Sequence, residues 1–203
     1  MIRTALEFIK SELETFILTR EQDAAYVPGS VVNLASLVLP DGTSNVKDTY
    51  HISMMIVNLE ELCREGKRPY YIPANSKEFY RLNPPVELDI SVMFAAHSTD
   101  YPTALRDISD VIGFFQSNPV FDGDKYPGMN ATVTQPDTKP WQLIERLTFQ
   151  LRNLSFDQLN NIWGMLGAKF MPAVVYKMSM LTIFNTKGTD KSAAINQVNY
   201  AES

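Results

Sequence analysis

His97, Ser98 and Asp100 stand close together in the run FAAHSTDYP. They carry the three side-chain types of a hydrolytic relay: a base, a nucleophile and an orienting carboxylate. They also follow an apolar run that reads as a strand, and open α/β folds place ligands beyond the carboxyl ends of their strands. A relay needs groups that converge in space, which generally arrive from separate segments. Neighbouring polar residues between a strand and a helix are satisfied more simply, by ending the first and capping the second. The reading adopted is structural, with a small α/β enzyme built on His97, Ser98 and Asp100 as the alternative.

The remaining reactive side chains point the same way. His51 lies in an apolar stretch and reads as a packed or edge histidine. Cys63 has neither histidine beside it in sequence to raise its thiolate fraction, so it reads as inert. The acidic pairs Glu60 with Glu61 and Asp107 with Asp110 read as solvated surface. Neither a G-x-S-x-G elbow, a phosphate-binding loop nor a G-x-G-x-x-G fingerprint occurs. Two histidines and one cysteine also leave little from which to build a structural zinc site. The expectation is no catalytic residue, no metal and no cofactor.

Composition sets the class. The chain has 203 residues with 18 Lys+Arg against 23 Asp+Glu, a net charge of −5, and its charges are mixed along the length. The lack of a basic block argues against nucleic acid as partner. Glu7, Lys10, Glu12 and Glu14 interrupt the first segment where a signal peptide needs an apolar core, and no later run is long enough to span a bilayer. A cytoplasmic protein without membrane insertion is expected. The sequons at Asn130 and Asn153 then read as chance matches.

These side chains require the following scaffold. Ile2, Leu6, Ile9, Leu13, Phe16 and Ile17 recur at helical spacing and predict an amphipathic first helix. Strands are predicted at 31–39, 50–58 and 86–97, with a long proline-punctuated aromatic excursion at 60–85. The excursion suits a partner-binding arm or a loop folded on its own aromatics. A helix follows, capped by Thr99 or Asp100, with Ala104, Leu105, Ile108, Val111, Ile112 and Phe115 as its buried stripe. A connection at 117–140 with a short strand at MNATVT leads to the alternating LIERLTFQL, a half-exposed strand. Ser155 and Gln158 form a capping box for a helix whose apolar face is Leu159, Ile162, Trp163 and Leu166, with Gly167 as its terminator. Residues 173–184 form the last strand, and 186–203 read as a polar tail, so residues 1–185 make one domain.

Three passages carry a resemblance: ISMMIVNLEE, the run from NPPVELDISVMF to FFQSNPVFD, and LTFQLRNLSFDQLNNIWGMLGAKFMPAVVYKMSMLTI. Together with the first helix they resemble the cap, or tail-terminator, family of contractile injection systems, formerly grouped as a domain of unknown function. The resemblance spans about residues 1–184. Longer members carry a further C-terminal domain that is not expected here, and Ala173 stands where the family usually has serine.

The resemblance implies an α/β (α+β) single domain with a mixed, largely antiparallel sheet flanked by helices. It implies a structural role without catalysis: a hexameric ring on the distal end of the inner tube of a phage-tail-like particle, anchoring the last sheath ring. The partners would be other copies of the chain, the inner tube protein and the sheath protein. An adaptor elsewhere in the same particle is the neighbouring alternative. Tyr70, Tyr71, Phe79 and Tyr80 of the aromatic excursion, and Arg146, Thr148 and Gln150 on the exposed side of the alternating strand, are the expected contact residues.

Overall fold

The computed structural model describes residues 1–62, 70–73, 78–82, 86–131, 133, 143–182 and 190–193. Helix α1 (Ile2–Glu21) is followed by strands β1 (Val32–Leu34) and β2 (Ile52–Glu61), then by β3 (Tyr70–Pro73), β4 (Glu78–Leu82) and β5 (Val86–Ala96). Helix α2 (Tyr101–Ser117), β6 (Val120–Asp122), a 3-10 turn (Pro127–Asn130), β7 (Arg146–Leu151), α3 (Phe156–Leu166), β8 (Ala173–Thr182) and β9 (Asp190–Ala193) complete the order.

Six strands form one mixed sheet in the order β1-β2-β5-β8-β7-β6. Only β1 and β2 run parallel, and every other neighbouring pair is antiparallel. The even members of β5, Leu88 to Phe94, turn with Tyr176, Met178 and Met180 of β8 toward α1 and α2 and close the main core. The odd members Met93 and Ala95 face the other way with Met55 and Val175, under Trp163 of α3. Period-two alternation on strands apolar on both faces thus builds two cores, one on each side of the sheet.

Helix α3 forms where the capping box predicts. Ser155 Oγ accepts from Gln158 N at 3.2 Å, and Gln158 Oε1 accepts from Ser155 N at 3.1 Å. Gly167 ends the helix at φ 63, a left-handed conformation that a Cβ disfavours, and its N–H donates to Trp163 O at 3.0 Å.

Several expectations are corrected. Within 31–39 only Val32–Leu34 pairs, because Leu37 turns inward beneath α3 and the chain folds back through a bridge from Val38 to Ser44. The MNATVT segment begins in the 3-10 turn rather than in a strand, while the missed strand β6 pairs with β7 through Val120–Asp122. On α2, Leu105 and Ile112 are exposed; Phe114 takes their place against α1 and the sheet.

The excursion at 60–85 contains β3 and β4, which pair antiparallel, and the expected tail contains β9, which pairs with β4 as the third strand. This small sheet follows the large one strand for strand: β3 succeeds β2, β4 precedes β5 and β9 succeeds β8, in the spatial orders β3-β4-β9 and β2-β5-β8. The pattern escapes sequence reading because Asp190, Lys191 and Ser192 show no apolar alternation.

Two outcomes are expected. Trp163→Ala should lower unfolding free energy by about 3–5 kcal/mol in denaturant titration, the usual cost of emptying a large aromatic site. Removing Thr186–Ser203 should leave the thermal midpoint of the main body nearly unchanged while amide exchange in Glu78–Arg81 accelerates, since β9 pairs with β4 alone.

Candidate functional site

The polar cluster singled out by sequence is a helix start. Asp100 caps α2: its carboxylate accepts from Thr103 N at 3.1 Å and from Thr103 Oγ1 at 2.6 Å, which holds its pKa below the usual carboxylate range. Pro102 lies in the first turn. Ser98 Oγ accepts from Asp100 N at 3.4 Å. The His97 ring nitrogens are buried without a hydrogen-bond partner among the described residues, and burial pushes the imidazole pKa down. His97, Ser98 and Asp100 therefore make no relay with one another. Cys63 lies outside the described residues.

Asp107 and Asp110 are not the solvated pair expected. Both are buried, at 0% and 1% exposure, because α2 presents one side to the sheet and the adjacent side to the end of α1. Asp107 Oδ1 accepts from the hydroxyl of Tyr26 at 2.6 Å, and that hydroxyl accepts from Arg106 Nε at 3.1 Å. His51 stacks on Tyr26 with centroids 4.4 Å apart. Its Nδ1 stands 3.4 Å from Asp107 Oδ2, a charge contact without hydrogen-bond geometry, and the carboxylate draws the imidazole pKa upward. Burial and the hydrogen bond to Asp107 also raise the Tyr26 pKa. Arg20 meets Asp110 at 3.1 Å and Arg106 meets Glu21 at 3.3 Å. An amphipathicity count treats such carboxylates as outward-facing, so only the contacts of Asp107 with Tyr26 and His51 and of Asp110 with Arg20 reveal them.

The contact residues expected from sequence fall on two sheets. Arg146, Thr148 and Gln150 are exposed and alternate with buried Leu147 and Phe149. Arg146 is held by Asp122 at 3.1 Å. Tyr70 and Tyr71 lie on β3, and Phe79 and Tyr80 on β4, with Ile72 opposite Tyr80 and Pro73 opposite Phe79 in register; their side chains lie outside what is described.

A third surface was not anticipated. Around α3, Phe156 is 91% exposed and Met165 and Phe170 are each 69% exposed, with Phe170 meeting Trp163 edge-on at 5.6 Å. Beside the helix runs a groove of about 320 Å³ over the open sheet, lined by Val57, Leu154, Ile162, Met165 and Val175 with Arg152 at its polar side. Arg152 donates to Ser91 Oγ at 2.7 Å. The remainder of that face is polar, with Lys177 3.3 Å from Asp89. Among the described residues no group of His, Cys, Asp and Glu is arranged to hold a metal, and no helix is long and apolar enough to cross a membrane.

A mixed sheet with two helices on one face and a single capped helix on the other is the fold of a contractile-system terminator. The whole of this chain superposes on 63% of the sheath/tube terminator of PVC, an extracellular contractile injection system in its extended state, with TM-score 0.61 and 13% identity. It also matches the tube-terminating cap of the anti-feeding prophage, over 96% of this chain and 60% of that one, with TM-score 0.54 and 12% identity. Residues 4–197 match the family model of the Pvc16 N-terminal domain, and the chain belongs to that family. No curated protein matches it. The family match extends through β9, and the chain spans about six-tenths of the length of the two solved structures.

Tyr26→Phe should cost about 1–3 kcal/mol of stability, because it removes the donor to buried Asp107 and the acceptor for Arg106. Denaturant unfolding of the variant measures it directly.

Proposed function

We propose that this protein is the structural cap of a contractile injection system: six copies close into a ring on the distal end of the inner tube and anchor the last sheath ring. The observation that carries the reading is the superposition of the entire chain on a sheath/tube terminator, and membership of the Pvc16 N-terminal domain family supports it. The chain acts by surface complementarity, without catalysis or cofactor, as part of a phage-tail-like particle assembled in the cytoplasm. In this reading residues 1–185 form the terminator domain, and β9 from the 186–203 segment completes its small sheet.

Phe156, Met165 and Phe170 support the reading physically. Phe156 at the start of α3, and Met165 and Phe170 near its end, hold large apolar side chains in water, and aromatic residues and methionine are enriched where subunits meet. The exposed row Arg146, Thr148 and Gln150 and the aromatic strands bearing Tyr70, Tyr71, Phe79 and Tyr80 provide further contacts for tube, sheath or neighbouring copies.

Coexpression with the tube and sheath proteins of the same particle, followed by negative-stain imaging, tests the proposal. The expected result is a ring at the tube end distal to the baseplate. The paired change Met165→Glu and Phe170→Glu should abolish the ring while costing the subunit only about 0.5–1.5 kcal/mol, the usual worth of the Phe170–Trp163 ring contact, so that it stays folded. Binding at the baseplate end alone would favour an adaptor, and no association with either protein would overturn the reading.

A further inference from the structure

The junction where the end of α1 meets α2 and the start of β2 is short of positive charge. Glu21, Asp23, Asp107 and Asp110 converge there, while the guanidinium groups are those of Arg20 and Arg106. Asp107 and Asp110 are excluded from water, so solvent cannot make up the difference.

The atoms show where protons are missing. His51 Nδ1 faces Asp107 Oδ2 at 3.4 Å, and its Nε2 faces the carbonyl oxygen of Ala25 at 3.3 Å. Both neighbours are acceptors when Asp107 is ionised, and a neutral imidazole carries a single N–H, so only the imidazolium form presents an N–H toward each of them. Asp110 presents the same deficit. Its Oδ1 lies 3.1 Å from Arg20 Nε, whereas Oδ2 is buried with no hydrogen-bond partner. Glu21 Oε1 stands 4.0 Å from the same Arg20 Nε, so one guanidinium serves two carboxylates, and such a pair can share a hydrogen bond only when one is protonated.

We infer that this junction is a buried proton-binding site, taking one proton at His51 against Asp107 and a second at Asp110 against Glu21. The inference concerns the subunit itself and does not depend on the capping role. Proton uptake brings the charges toward balance and tightens the seat of α2 on α1, so the fold gains stability in mild acid.

The surrounding groups set the pH window. Facing His51 are Tyr26 from the loop after α1, Asp107 and Arg106 from α2, and His97 from the end of β5, which in turn feels Asp48. Facing Asp110 are Arg20 and Glu21 from α1 and Asp107 from its own helix. The Asp107 contact raises the His51 pKa above 6.5, so its contribution is complete below that value and is lost as pH rises through the folded value. Burial and Glu21 push Asp110 from 3.8 up to about 6, so its contribution is lost between those two values as pH rises. His97 works in opposition: its lowered pKa favours the folded state above 6.5 and withdraws stability below it. Asp41, Asp100 and Asp122, all lowered from 3.8, withdraw stability at the acidic end. The stability optimum should therefore lie between about pH 4 and about pH 6.

The test pairs histidine and carboxyl NMR titrations of the whole chain with thermal midpoints across pH. His51→Gln assigns the two histidine signals and should flatten the wild-type rise in midpoint as pH falls from about 8 to about 6. Asp110→Asn keeps the shape and supplies a donor without taking up a proton; it should raise the midpoint at neutral pH and flatten the profile between about 4 and about 6. A His51 signal titrating at or below 6.5, or an Asp110→Asn profile parallel to wild type, overturns the inference. Should either variant fail to fold, the wild-type titrations of the His51 ring and the Asp110 carboxyl carbon decide it alone.

Discussion

The constraint on which the rest depends is the double pairing of β5. Its backbone is hydrogen-bonded to β2 on one side from Leu88 to Ala96 and to β8 on the other from Val86 to Ala95, and its central side chains are buried on both faces. A strand placed this way has few backbone groups left to satisfy and no free choice of register. A slip of one residue would exchange Val92 and Phe94, which face α1 and α2, with Met93 and Ala95, which face α3. Both helical layers are therefore referred to one strand. Because Asp100 starts α2 four residues after β5 ends, the pairing also decides where Asp107 and Asp110 meet α1.

Legibility in the sequence followed from how local each signal is. Ser155, Gln158, Trp163 and Gly167 make their decisive bonds within one helix, so their spacing announces the helix, its cap and its end. The exposed row Arg146, Thr148 and Gln150 is equally local, since alternation with Leu147 and Phe149 separates the faces of one strand. The small sheet is the opposite case. Strand β9 joins β4 across more than a hundred residues, through a segment with no apolar pattern. The Tyr26, His51 and Asp107 cluster draws on three separate segments, and each member alone reads as an ordinary surface or edge residue. Long-range polar contacts leave no periodicity, which is why the buried carboxylates were read as solvated. The exposed Phe156 and Phe170 were missed because they flank the run from Leu159 to Leu166 that made Trp163 visible: Phe156 opens the helix, where its first turn stands clear of the sheet, and Phe170 follows its end.

The two faces of the sheet carry different loads. On the first, α1 and α2 cover the sheet: Phe115 of α2 meets Phe94, Phe149 and Tyr176 of the sheet and its neighbour Phe114, while Phe8 and Phe16 of α1 meet Phe121 and Phe114. On the second, α3 covers one part, and the rest carries Asp89, Lys177, Thr148 and Gln150. The apolar groove beside α3 lies at the border between these regions. A face with an apolar strip edged by polar groups can exclude water at its centre and fix orientation at its rim, the usual anatomy of an interface between subunits.

Sheet edges offer a second way to meet a partner, and here they are restrained. The outer strands β1 and β6 of the main sheet have three residues each, and Pro119 directly precedes β6. In the small sheet β3 ends at Pro73, while β9 carries Asp190 and Lys191. Short strands, proline and charge are the devices by which proteins discourage unplanned strand pairing. In the ring proposed above such edges would matter, because open-ended strand pairing competes with closure. The three most exposed large apolar residues, Phe156, Met165 and Phe170, lie instead on α3 or just past its end, where contacts are made by side-chain shape rather than backbone repetition. Blunted edges thus leave side-chain surfaces, rather than backbone pairing, as the readier means of contact.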